Sequence, residues 1–118
     1  MPTLDQLRTL ALSLPEVTEE PHFEKTSFRV RKKIFATYDG GHNRLSLKLS
    51  PVNQDVLSSM DRAAVYPVPN KWGQQGWTFV ELARVNELLL IDAVKLAYCE
   101  VAPARLAGLG HPDSFDPA

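Results

Sequence analysis

The spacing of apolar residues changes period along the chain, and each change marks an element. Leu4, Leu7, Leu10, Ala11 and Leu14 recur at intervals of three and four, which makes one apolar stripe on a helix. Thr3 followed by Gln6 three residues later fits a capping box at its start, and Pro15 stops it because residues before proline avoid the α region. From residue 18 to residue 49 the period becomes two. Phe28 and Val30 alternate with Ser27, Arg29 and Arg31. Ile34, Ala36 and Tyr38 alternate with Lys33, Phe35 and Thr37, and Leu45, Leu47 and Leu49 with Arg44, Ser46 and Lys48. Such alternation predicts an antiparallel meander with one buried face. Arg31-Lys32-Lys33 holds its first reversal and Asp39-Gly40-Gly41-His42-Asn43 its second, with room for a short strand at residues 19–23 ahead of it.

Ser50-Pro51 then reads as N-cap and first residue of a second helix, running to about residue 59 and burying Val52, Val56 and Leu57. Pro67, Pro69, Gly73 and Gly76 make residues 66–76 irregular. Residues 77–82, WTFVEL, have the β-branched and aromatic content of a strand. Asn86 caps a last helix whose stripe is Leu89, Leu90, Ala93, Val94, Ala97 and Val101, interrupted by Pro103. The predicted fold is α+β, a two-layer sandwich with helices packed on one face of an antiparallel sheet, in the order α-β-β-β(β)-α-β(β)-α. Residues 1–107 form a single domain in this reading, and residues 108–118 a flexible C-terminal tail.

Composition narrows the function classes. The 118 residues carry 44% hydrophobic and 23% charged side chains, ordinary for a globular domain. The longest apolar run, LLLI at residues 88–91, is far below the ~20 residues of a membrane span, and MPTLDQLR lacks the basic and apolar parts of a signal peptide. The expected location is therefore the cytoplasm, with no membrane partner. The single Cys99 offers neither an internal disulfide nor a thiolate cage, and its apolar helical neighbours suit a small core residue.

Charge placement changes the picture more than charge total. The net charge is −1, yet residues 25–48 hold seven cations against Asp39 alone, a balance of +6. The rest of the chain holds six cations and 13 anions, −7. With the alternating apolar residues inward, the outward set is Arg29, Arg31, Lys33, Phe35, Arg44 and Lys48. Lys32 sits at the first turn, and the hydroxyls Ser27, Thr37 and Ser46 lie between. A basic face with one aromatic suits phosphate contacts beside a stacking or groove contact. Cations on the solvent side of strands also serve simply to keep sheet edges from pairing.

No catalytic apparatus stands out. NKWGQQGWTF lacks the spacing of a phosphate loop, so its glycines read as a tight loop, with Trp77 in the core and Trp72 partly exposed. His22, His42 and His111 make no metal-ligand pattern, and no cofactor or metal is expected. His22 and Trp72 are the residues placed to touch a partner or ligand.

Four blocks carry a family resemblance: ALSLPEVTEEPHFEKTSFRVRKKIFATY, RLSLKLSP, YPVPNKWGQQGWTFVEL and LLLIDAVKLAYCEVAPARLA. Their order and spacing resemble the MmcQ/YjbR proteins, small bacterial proteins usually labelled DNA-binding. The family's elements are matched by Pro21-His22-Phe23, Ser27 to Val30, Lys33 to Ala36, and Trp72, Gly73, Gly76 and Trp77. The resemblance implies an α+β domain with an antiparallel sheet, and nucleic-acid binding through β-hairpin wings. Relatives often place Gly where this chain has Lys32, which adds charge at the tip but makes a positive-φ turn less comfortable.

The sequence thus predicts a non-enzymatic DNA-binding protein. Arg29, Arg31, Lys32, Lys33, Arg44 and Lys48 would neutralise phosphates, and Phe35 would stack. A protein-interaction module using the sheet edge or the Trp72 loop is the alternative, followed by a small-ligand binder with a cleft near His22, Trp72 and residues 67–69.

Overall fold

The predicted capping box closes at both ends. Thr3 Oγ1 accepts from the Gln6 backbone N–H at 3.2 Å, and Gln6 Oε1 accepts from the Thr3 N–H at 2.9 Å. Helix α1 (Leu4–Leu12) follows directly and buries Leu7 and Ala11. The structure, a computed structural model, describes residues 2–103. The expected tail at residues 108–118, with His111, lies outside them.

After α1 the chain forms β1 (Val17–His22), β2 (Lys25–Val30), β3 (Lys33–Asp39) and β4 (Arg44–Lys48). Helix α2 (Pro51–Met60), β5 (Val65–Pro67), the single turn α3 (Lys71–Gln74), β6 (Trp77–Glu81) and α4 (Glu87–Val101) complete it. Among the described residues the sheet has six strands in the order β1-β2-β3-β4-β6-β5, with antiparallel neighbours throughout. Its inner face, including Phe28, Val30, Ala36, Leu45, Leu47, Val65 and Val80, packs under the helices. Helix α4 crosses β3 and β4 and contributes Leu89, Leu90, Ala93, Val94, Ala97 and Tyr98 to the core. The chain is thus an α+β sandwich with its helices on one face of the sheet.

Five local expectations are corrected. Phe35 does not point outward; it is fully buried. The β2–β3 register runs Phe28↔Ala36 and then Arg29↔Ile34, so Phe35 is the extra residue of a β-bulge and turns under the helices. The same slip puts Lys33 opposite Val30 rather than on the face of Arg29. In α2 only Leu57 of the three expected apolar residues is buried, while Val52 and Val56 are exposed. That helix lies against the β5 margin and turns Gln54, Leu57 and Ser58 inward. Within residues 66–76 the chain forms β5 and α3 instead of staying irregular. A three-residue edge strand containing Pro67 is too short to show a period. Trp77 is half-buried on the sheet's other face rather than in the core.

Candidate binding face

The sheet face away from the helices is organised by register. Side chains alternate between faces along each strand, so cross-strand partners form rows. One row reads Glu20, Ser27, Thr37, Ser46, Phe79, Tyr66 from β1 to β5. A second joins His22 to Lys25 and Asp39 through Arg44 to Glu81, with Lys25 Nζ 4.0 Å from Asp39 Oδ2 between the pairs. A third holds Arg29 on β2 and pairs Lys48 with Trp77.

Part of these rows borders an open cavity of about 290 Å³. Thr37 and Ser46 lie between its aromatic side, Trp72, Trp77 and Phe79 with Val68, and its polar side, His22 and Lys25. His22 comes from β1 and Trp72 from α3, which packs on β6. His22 and Trp72, named separately from sequence, meet in this one cavity.

The Trp72 loop is held by close backbone packing. A Cβ on Gly73 would fall 1.9 Å from the Val68 carbonyl oxygen, and one on Gly76, at φ +105°, 1.8 Å from that of Leu49. Only glycine permits that approach. Gln54 Nε2 donates to the carbonyls of Gly73 (2.9 Å) and Trp77 (3.1 Å) and lies 3.1 Å from Thr78 Oγ1. Asn70 Oδ1 caps the Trp72 N–H at 2.9 Å. The W-G-x-x-G-W motif is therefore a fastening. It leaves Trp72 51% exposed at the cavity rim.

The predicted cations are distributed unevenly. Arg29 folds over the face, its Nε donating to Ser27 Oγ at 2.9 Å. Arg44 lays its guanidinium 3.9 Å from the Phe79 ring centroid, a cation–π contact. Beside it the Tyr66 hydroxyl donates to Glu81, and that bond raises the phenol's pKa. Lys48 Nζ donates to the Gln75 carbonyl and so helps hold the Trp72 loop. Arg31 pairs with Glu16 at 3.2 and 3.3 Å, away from the cavity. Lys32 and Lys33 stand exposed at the β2–β3 turn. Burial pushes the Cys99 thiol pKa up, which removes thiolate character.

The sequence places Thr37 and Ser46 on the outward face, but it does not join them with Lys25, Trp77 and Phe79 in one site. The missing signal was the β4–β6 register, which sets Phe79 beside Ser46. Phe23, at the β1–β2 turn, was also missed: it is 94% exposed with φ +58° and meets His22 edge-on at 4.9 Å.

No curated protein matches the chain at significant similarity. Among solved structures, the crystal structure of the Deinococcus radiodurans protein DR2400, with family-model domain DUF419, is similar at a TM-score of 0.73 and 27% identity, covering 99% of this chain and 94% of that one. The family description YjbR matches residues 12–100, and the chain belongs to the YjbR family.

Proposed function

We propose that this protein is a non-catalytic nucleic-acid-binding protein that takes single-stranded segments on its open sheet face. One observation carries the reading: three aromatic side chains and a half-exposed lysine line the same concave cavity. Stacking surfaces beside cations bind unpaired strands, because every base has a π-face and every link a phosphate. The burial of Phe35 and the Arg31–Glu16 ion pair weaken the case for duplex contact through the β2–β3 hairpin. Lys25, Arg29 and Arg44 would supply the positive field, with Lys32 and Lys33 at its border. A cytoplasmic location fits such a role.

The protein-partner alternative through the sheet edge has less support. Edge strand β1 reads VTEEPH, and its proline and paired glutamates oppose strand addition.

Fluorescence anisotropy with a short oligonucleotide, single-stranded and as the matching duplex, tests the proposal. Tighter binding of the single strand is expected. About three phosphate contacts would give a slope of log affinity against log salt near −2. Preference for duplex, or affinity unchanged by Trp72→Ala, would sink it.

A further inference from the structure

The order of chemistry across the open face specifies more than a surface. From the β6 side the cavity wall is first aromatic, with Trp77 and Phe79 on the strand and Trp72 at the rim. Next come two hydroxyls, Ser46 on β4 and Thr37 on β3, which are direct cross-strand partners. Beyond them is a cation, Lys25, with its own cross-strand partner His22. A nucleotide carries its groups in the same order: a planar base, a hydroxyl-bearing sugar, a phosphate. The span from β6 to β2 is three strand spacings, about 14 Å, comparable with an extended nucleoside monophosphate.

We infer that this cavity holds one nucleotide unit in a fixed direction. The base lies against Trp77, Phe79 and Trp72, the sugar over Thr37 and Ser46, and the phosphate at Lys25. The inference rests on the open face being the binding surface and adds where a single unit sits and which way it points. Lys25 is the cation available for the phosphate. Its side chain is half exposed and its Nζ only loosely held, 4.0 Å from Asp39 Oδ2, whereas Arg44 is stacked on Phe79 and Lys48 is bonded to the Gln75 carbonyl. The His22 imidazole stands beside Lys25 as a further hydrogen-bonding group. At the phosphate end the almost fully exposed Phe23 ring offers a second stacking surface. A free monophosphate would leave it unused, and the next base of a strand would cover it.

The chain has two tryptophans, and both line the cavity, so their fluorescence reports its occupancy directly. The whole protein would be titrated with nucleoside 5′-monophosphates, the matching nucleosides and short single-stranded oligonucleotides. Saturable quenching by the monophosphate is expected, with the nucleoside about tenfold weaker for want of one charge-assisted contact. Lys25→Glu should abolish that difference, and Phe23→Ala should weaken the oligonucleotide but not the monophosphate. Oligonucleotide quenching that is unchanged by Lys25→Glu, with no response to monophosphates, overturns the single-nucleotide pocket and leaves the strand-binding face standing. Monophosphate binding with no oligonucleotide binding upholds the pocket and overturns the strand reading.

Discussion

Phe35 and Tyr98 meet edge to face beneath the sheet, with centroids 5.7 Å apart and rings at 88°. The contact joins the β3 bulge to α4, and the Tyr98 hydroxyl continues it by donating to the Pro15 carbonyl at 2.8 Å. The bulge is therefore part of the core. Phe35→Ala should cost about 3–5 kcal/mol, and Tyr98→Phe about 1 kcal/mol through loss of one hydrogen bond. Urea unfolding followed by circular dichroism measures both. In the temperature range where Phe35→Ala stays folded, its oligonucleotide affinity should match the parent protein. A specific loss there would restore Phe35 as a contact residue.

The β2–β3 turn holds stored strain. Arg31 and Lys32 have φ of +50° and +71°, the two left-handed residues of a two-residue hairpin that favours Asn-Gly. A side chain in that region costs about 1–2 kcal/mol, and glycine's greater freedom when unfolded returns part of it. Lys32→Gly should thus stabilise the protein by about 0.5–1 kcal/mol, visible as a higher thermal midpoint. A lower midpoint would show that Lys32 makes a contact worth more than the strain.

Most of the fold was legible because its signals are local. The Thr3–Gln6 box, the Ser50-Pro51 start and the Asn86 cap each depend on residues within one turn, and each appears as the pattern predicts. The α4 stripe was legible as well, since five of its six residues are buried and only Val101 is half-buried. The misplacement of Phe35 and Lys33 has one cause. A bulge changes side-chain parity without changing composition, so ideal alternation turned Phe35 outward. Strand order was equally hidden: β6 inserts between β4 and β5, and only that places Phe79 and Trp77 beside Ser46 and Lys48. His22 and Trp72 could be named as contacts from their own chemistry, but their meeting in one cavity depends on pairing that no local window contains.

Asp39 ties the second turn together and gives stability a pH dependence. Its Oδ2 lies 2.8 Å from His42 Nδ1 and 4.0 Å from Lys25 Nζ, and its Oδ1 accepts from the Gly41 N–H at 3.0 Å. The hydrogen bond to His42 is the largest cause of a lowered Asp39 pKa; Lys25 and the Gly41 N–H support it, and burial opposes it. A depressed carboxylate stabilises the fold fully above its unfolded pKa of about 3.9 and progressively less as pH falls through the folded value. Asp39→Asn should therefore be less stable than the parent at neutral pH, with the gap closing as the pH drops below about 4. Urea midpoints measured across the acid range would show it; parallel curves would mean that Asp39 contributes nothing through its charge.

Gly76 and Gln54 together decide whether the cavity keeps its shape. Leu49 and Gly76 exchange a close backbone contact, with the Leu49 N–H donating to the Gly76 carbonyl at 3.0 Å. A methyl group on Gly76 would meet the Leu49 carbonyl while sitting at φ +105°. Gly76→Ala should therefore cost roughly 2–4 kcal/mol, combining backbone strain with overpacking. Gln54→Ala acts on the same loop from α2, removing the donor to the Gly73 and Trp77 carbonyls at a cost of about 1–3 kcal/mol. If those bonds aim the indoles, both variants should shift tryptophan emission to longer wavelength while the far-ultraviolet circular dichroism of the folded protein stays unchanged. They should also weaken oligonucleotide binding more than Val52→Ala on the exposed side of α2. Emission unchanged in both variants would mean that the glycines and Gln54 serve stability alone and that Trp72 and Trp77 are positioned by the sheet itself.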